Sequence, residues 1–343
     1  MTDPQWQQLV AKVQGRSREP ICGFIIDSPW LPNWYGITIL EYMTDHELWL
    51  QANLKAVSLF PDALFLPGFW AEFGMCTEPS AFGVRCTFPQ NEFPYAHSTL
   101  RSADIDALPQ PDPRTDGLLP FVISRLKWAQ PRLESLGHRI RFAVARGPLN
   151  IAGFLLGMTE FLTAMMMEPQ KTHALLRRIT DFLKDWLDYQ RECFSTIDGI
   201  LLLDDIIGFL SAEQFVEFGL PYFKELFAAP VTVKFLHNDA PCRASAPYLP
   251  EMGVNLFNMG FDVELNELKE LTGNQVTLLG NIPPRDVLAA GTPAQVEEAV
   301  RRQFDSLQSW DRVIFSCGGG MPPGVSSENL SAFIQAVKSI RSV

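Results

Sequence analysis

Basic residues are in short supply: 28 Lys and Arg stand against 39 Asp and Glu in 343 residues, a formal net charge of −11. A surface that acidic has no general attraction for nucleic-acid phosphates or anionic lipid, so both partners are set aside; an anionic ligand would need a local basic pocket. The six cysteines (Cys22, Cys76, Cys86, Cys193, Cys242, Cys317) contain no Cys-x-x-Cys pair, and in a chain this long they do not read as a disulfide framework. Free thiols in a reducing cytoplasm are expected. No apolar run approaches the roughly 20 residues that span a bilayer. Residues 1–15 are polar and amphipathic, without a signal-peptide core. Repeats, low-complexity segments and linker-like composition shifts are also missing. These absences point to a cytoplasmic protein without membrane association.

What is present is enough apolar material for one large core: 47% hydrophobic residues with 20% charged. It is arranged as short apolar runs, each followed by a longer helix-period segment, the pattern of βα units around a parallel sheet. Eight runs occur, at 23–26 (GFII), 63–66 (ALFL), 141–145 (RFAVA), 199–203 (GILLL), 232–236 (TVKFL), 254–257 (VNLF), 276–279 (VTLL) and 313–316 (VIFS). They are continuous, as strands buried on both faces require. Helices are expected over 39–59, 159–193, 212–226, 265–271, 293–307 and 327–340. The fold class is therefore α/β, a single (β/α)8 barrel over residues 1–343. The Pro- and Phe-rich stretch 67–139, with a hairpin-like piece near 83–88, reads as an insertion over the barrel mouth.

Polar residues fall at the end of run after run. They are Asp27, Arg146, Asp204 with Asp205, His237 with Asp239, Asn258, Asn281, and Cys317 before Gly318, Gly319 and Gly320. In a barrel these positions converge on the C-terminal face, where active sites of this architecture lie. His237 and Asp239 have the chemistry of a metal-ligand pair or of an acid and base near neutral pH; the plainer roles are a loop hydrogen bond and a helix cap. One of Asp204 and Asp205 is expected to face the axis, the alternative being a helix cap. Cys317 is either a soft metal ligand or a buried strand-end thiol, and Gly318 and Gly319 allow a backbone to approach a ligand closely. Trp30, Trp34 and Tyr35, just past Asp27, read as an aromatic wall for a planar ligand or as packing for the insertion. Met165, Met166 and Met167 read as core packing.

The segments GPLNIAGFLLGMTEFL (147–162), DDIIGFLSAEQFVEFGLPYFKEL (204–226), FLHNDA (235–240), LLGNIPP (278–284) and SCGGGMPPGVSSENL (316–330) resemble the uroporphyrinogen decarboxylase superfamily in order and spacing. That superfamily has a (β/α)8 barrel and includes corrinoid-linked methyltransferases as well as the decarboxylases. Decarboxylases carry an arginine-rich N-terminal stretch for substrate carboxylates and a histidine in the last Gly-rich segment. Here the stretch after Arg16 and Arg18 lacks that arginine pattern, and the histidine position falls on Gly319. Zinc methyltransferases of the superfamily use His-x-Cys after strand five and a cysteine after strand eight. His237 matches the first ligand, Asp239 replaces the first cysteine, and Cys317 lies two residues early.

The resemblance thus implies a methyltransferase that moves a methyl group from a small methylated, methoxyaromatic-type donor to a corrinoid (cobalamin) on a partner protein, an O-demethylation. Zinc on His237, Asp239 and Cys317 is one expectation and a metal-free site the other. The alternatives are a decarboxylase-like enzyme of tetrapyrrole metabolism and a non-catalytic corrinoid- or tetrapyrrole-binding protein.

Overall fold

The structure is a computed structural model that describes residues 1–26 and 29–340. Eight strands form one parallel sheet: β1 Cys22–Ile25, β2 Ala63–Leu66, β3 Phe142–Arg146, β4 Gly199–Leu203, β5 Val233–Asn238, β6 Leu256–Met259, β7 Thr277–Ile282 and β8 Val313–Cys317. Their hydrogen-bonded order is β2-β1-β8-β7-β6-β5-β4-β3. This is the sequential order of a (β/α)8 barrel. The seam between β2 and β3 takes up N-terminal residues, with Thr2 bridging His138 and the Met1 amino group donating to the Arg139 carbonyl.

Alternation along each strand sorts the core into two. Ile25, Leu64, Leu66, Phe142, Val144, Leu201, Val233, Phe235, Leu256, Leu279 and Ile314 form an inner cluster with Trp6, Leu9, Val10 and Val13 of the N-terminal helix Asp3–Val13. Every strand contributes to it, so the barrel interior is a packed core. Their sequence neighbours, such as Phe24, Phe65, Ala143, Leu202, Phe257 and Phe315, belong to the outer layer between sheet and helices. Burying each such Leu, Val, Ile or Phe contributes about 1.5–3 kcal/mol. Two residues beyond the inner set, at the C-terminal ends of the strands, come Arg146, Leu203, His237, Asn258, Asn281 and Ser316.

Three of the expected long helices are broken, each for a local reason. The 39–59 segment divides into Ile39–Thr44 and His46–Leu59, because the Asp45 carboxylate accepts from the Glu47 and Leu48 N–H groups and starts a new helix. The 159–193 segment divides into Met158–Met167 and Pro169–Cys193, where Pro169, lacking an N–H, takes the first helical position. Pro221, at the second position of Leu220–Leu226, likewise marks a new start after Ala212–Phe218. Within 67–139, the piece Leu119–Ser135 is a regular 17-residue helix with Leu119, Val122, Ile123, Leu126, Ala129 and Leu133 buried. It is the crossover helix from β2 to β3, so the irregular cover is confined to the residues before it. The small ribbon there pairs Cys86–Thr87 with Tyr95–Ala96. Met165 is buried as expected, whereas Met166 and Met167 are exposed. Among the described residues no single helix is long and apolar enough to cross a membrane.

Candidate active site

His237 ends the inward face of β5 and is buried. Its Nδ1 lies 2.7 Å from Asn258 Oδ1 on β6. The Asn258 amide is itself oriented, since its Nδ2 donates to the Leu279 carbonyl at 2.7 Å. An oxygen facing Nδ1 requires that Nδ1 carry a proton. The other ring nitrogen, Nε2, faces Asp239 Oδ2 at 3.7 Å. Asp239 is half-exposed at the rim, and its backbone N–H donates to Asp205 Oδ1 at 2.7 Å. Burial pulls the His237 pKa down, but the Asp239 and Asp205 carboxylates and the Asn258 hydrogen bond outweigh it and leave the imidazole above its ordinary value. Burial, reinforced by Asp205, raises the Asp239 carboxyl against the pull of His237.

The loop after β8 closes over this group. A Cβ on Gly319 would lie 2.0 Å from Asp239 Oδ1, at a φ of +69°. Glycine is needed there on both counts. At Gly318 a Cβ would come within 3.0 Å of the backbone of Gly260 and Phe261. Next to the loop opens a cavity of about 480 Å³ lined by Asp239, Gly260, Phe261, Arg285, Gly318, Gly320 and Met321, with Pro29 and with Phe93 from the insertion.

The other residues singled out in the sequence lie elsewhere. Asp27 falls outside the described residues. Asp204 is fully buried out of phase with the inward set, and its carboxylate accepts from the N–H groups of Leu149, Asn150 and Ile206 at 2.9, 3.1 and 3.2 Å. It holds the start of helix Pro148–Leu156, whereas Ser211 itself caps helix Ala212–Phe218, and Asp205 is the member whose carboxylate meets Asp239. Burial pushes the Asp204 carboxyl up to about 8, although the three N–H donors pull the other way.

Asn281 turns from the axis. Its Nδ2 donates to the Val263 carbonyl at 2.5 Å, its Oδ1 accepts from Gln303 at 3.2 Å, and it lines a separate cavity between β7 and the outer helices. Cys317 belongs to the outer core, because 313, 315 and 317 are the outward positions of β8. It is therefore not brought to His237 and Asp239. Among the described residues no group of three His, Cys, Asp or Glu side chains is placed to hold a metal ion.

Trp30 and Trp34 stack on each other at 5.2 Å and donate to the Val325 carbonyl and Ser327 hydroxyl. Lys55 covers the rings of Trp34 and Tyr35. These three aromatics pack helix Trp30–Tyr35 against the outer layer and do not line the mouth cavity.

Sequence reading did not find the partners of Arg146. This buried side chain at the end of β3 pairs with Glu72 at 2.8 Å and Glu78 at 3.3 Å, both buried and both from the insertion. Desolvation raises the Glu78 carboxyl against the pull of Arg146. Nothing in an aperiodic Pro- and Phe-rich stretch marks these two glutamates.

The sequence model of the uroporphyrinogen decarboxylase (URO-D) family matches residues 33–340. The chain belongs to that family. Its relatives include the uroporphyrinogen decarboxylase of Hahella chejuensis, 26% identical over 304 residues that span 84% of this chain and 79% of the relative. The uroporphyrinogen decarboxylase of Chlorobaculum tepidum is 28% identical over 250 residues, 69% of either chain. A methyltransferase from Methanosarcina mazei superposes with a TM-score of 0.82, covering 98% of both chains at 18% identity. That likeness is one of fold.

Proposed function

We propose that this family member is a methyltransferase, moving a methyl group from a small neutral methylated compound, of the methoxyaromatic type, to a corrinoid carried by a partner protein. The observation that carries this reading is electrostatic. The described lining of the mouth cavity offers one cation, Arg285, beside one acid, Asp239, and the buried Arg146 is already occupied by Glu72 and Glu78. A substrate with several carboxylates would enter with almost nothing to balance its charge, whereas a neutral donor needs no such balance. The fold likeness to a methyltransferase is in keeping with this.

Cleaving a methyl ether leaves an oxygen that must be neutralised. His237 supplies the proton: Nδ1 is held by Asn258, so Nε2 is the nitrogen that gives its hydrogen to the departing oxygen, and Asp239 with Asp205 shifts the imidazole toward its protonated form. The methyl carbon passes to the nucleophilic acceptor as the carbon–oxygen bond breaks, and the donor leaves as the alcohol or phenol. Phe93 and Phe261 at the cavity wall provide faces for an aromatic donor. Zinc does not fit the described side chains, and no step is routed through it; metal analysis of the active protein checks this, stoichiometric zinc being the adverse result.

The test is the absorbance change of free cob(I)alamin on addition of methylated compounds and protein, with carbon dioxide release from uroporphyrinogen measured in parallel. The names of the curated relatives favour decarboxylation, so carbon dioxide without cobalamin methylation would overturn the proposal. Ligand binding with neither reaction would point to a non-catalytic binding protein.

A further inference from the structure

A second cavity, of about 300 Å³, lies among helix Ile39–Thr44, helix Leu119–Ser135 and the residues Phe73 and Phe88 of the insertion, and shares no lining residue with the mouth. Its walls are mostly apolar (Leu40, Met43, Phe73, Phe88, Leu118 and Phe121), with Thr44 and His46 on the helix side. Arg125 also lines it and is only 1% exposed. One guanidinium nitrogen, Nη2, donates to the Met43 carbonyl, while Nε and Nη1 have no hydrogen-bond acceptor. The rings of Trp49 and Phe73 lie 5.7 and 5.4 Å from Cζ. Tyr42 and Asp45 are the groups whose field Arg125 feels, and Asp45 accepts through Oδ1 from Glu47 and Leu48 at the helix start. Burial draws Arg125 down to about 10, so it is a cation at neutral pH.

A buried guanidinium with idle N–H groups loses its hydration without full replacement, and aromatic faces recover only part of that loss. An anion is what such a group accepts most strongly, and carboxylates fit the planar guanidinium well. One cation balances one negative charge, which disfavours phosphate dianions in so apolar a space. Phe121, more than half exposed at the rim, offers apolar surface that a ligand body would cover.

We infer that this cavity is a binding site for a small monocarboxylate with an apolar body, aromatic or short aliphatic. The carboxylate accepts from the idle guanidinium N–H groups of Arg125, and the body lies among Phe73, Phe88 and Phe121.

Calorimetric titration of the full chain with benzoate and octanoate, and with neutral benzamide, tests the site. At least one acid is expected to bind saturably at one equivalent, with benzamide ~10-fold weaker than benzoate or worse. Arg125→Met should abolish acid binding. Thr44→Glu places a carboxylate at an exposed lining position, so it should weaken acid binding several-fold while leaving the unfolding midpoint in place, and it decides the matter if Arg125→Met fails to fold. His237→Ala, in the other cavity, should leave the affinity unchanged. Absence of saturable acid binding, benzamide binding as tightly as benzoate, or acid affinity left unchanged by Arg125→Met or by Thr44→Glu would each overturn the inference. Because the readout is binding, its failure is separate from failure of the methyl-transfer proposal.

Discussion

On the β3–β4 side of the barrel mouth, the polar groups that the strand ends deliver are taken up by the protein itself; after β5, on the other side, the Asp239 carboxylate is left facing a cavity. Arg146 is matched by Glu72 and Glu78. Asp204 receives three backbone N–H groups, and neighbouring Asn150 accepts from Asp205 and Ile206 while donating to the Leu203 carbonyl. Across the mouth, His237 is fixed through one nitrogen only, and Asp239 keeps a half-exposed carboxylate that lines the cavity. Both halves have the same topological position. Saturation of hydrogen-bonding capacity, more than location at a strand end, separates residues that hold the barrel from residues that can act on a substrate.

The comparison breaks most visibly if the closed half tolerates loss of its cation. Arg146→Met removes the cation that two buried glutamates face and should cost about 3–5 kcal/mol of stability, read from urea unfolding. Replacing Glu72 and Glu78 by Gln in the same chain should recover part of that loss. A midpoint unchanged by Arg146→Met would mean that the closed half is not held by this pair. On the open half, His237→Ala is expected to lower methyl-transfer turnover by ~10²-fold, with a smaller change in the urea midpoint than Arg146→Met gives. Unaltered turnover would remove His237 from the reaction. Asp204→Ala comes next: about 1–3 kcal/mol of stability from three N–H groups deprived of their acceptor, with turnover of the folded fraction maintained. Lost turnover at full stability would return Asp204 to the site.

These contrasts also show how far the residues alone carry. Apolar runs placed all eight strands, because strands buried on both faces write themselves continuously into the sequence. Phase and position agree at His237 and Asn258, which lie two residues beyond inner-core positions on the same strands; Asn281 has the same phase after Leu279 but is drawn away by Val263 and Gln303. Phase and position disagree at two other residues. Asp204 and Cys317 are each one step off the inward register, and the periodicity of two that places Leu201 and Ile314 inside would have flagged them. Trp30, Trp34 and Tyr35 were legible as aromatic but not as packing, since their partners at Val325, Ser327 and Lys55 are brought in only by closure of the fold. Glu72 and Glu78 had no periodic signal at all.

The smallest effect sharpens the same contrast through two histidines whose proton affinities move in opposite directions. His138, in the turn into β3, is pulled from 6.5 to about 4 by burial and by the nearby N-terminal amino group. Its Nδ1 is buried without a partner, and its ring packs edge-on against Phe69. Between those two pH values the unfolded chain holds a proton that the folded chain does not. Stability contributed by neutral His138 is therefore full above pH 6.5, declines as the pH falls toward about 4, and is level below that. Comparing denaturation against pH for the protein and His138→Gln should show the steeper decline in the protein, by at most about one proton. His237 lies on the other side of its ordinary value, so if it is the proton donor of the proposed reaction, turnover should fall with rising pH. A turnover profile that followed His138→Gln, or a His237→Ala chain that kept the high-pH limb, would show that the two ends of the barrel are not divided in this way between structure and chemistry.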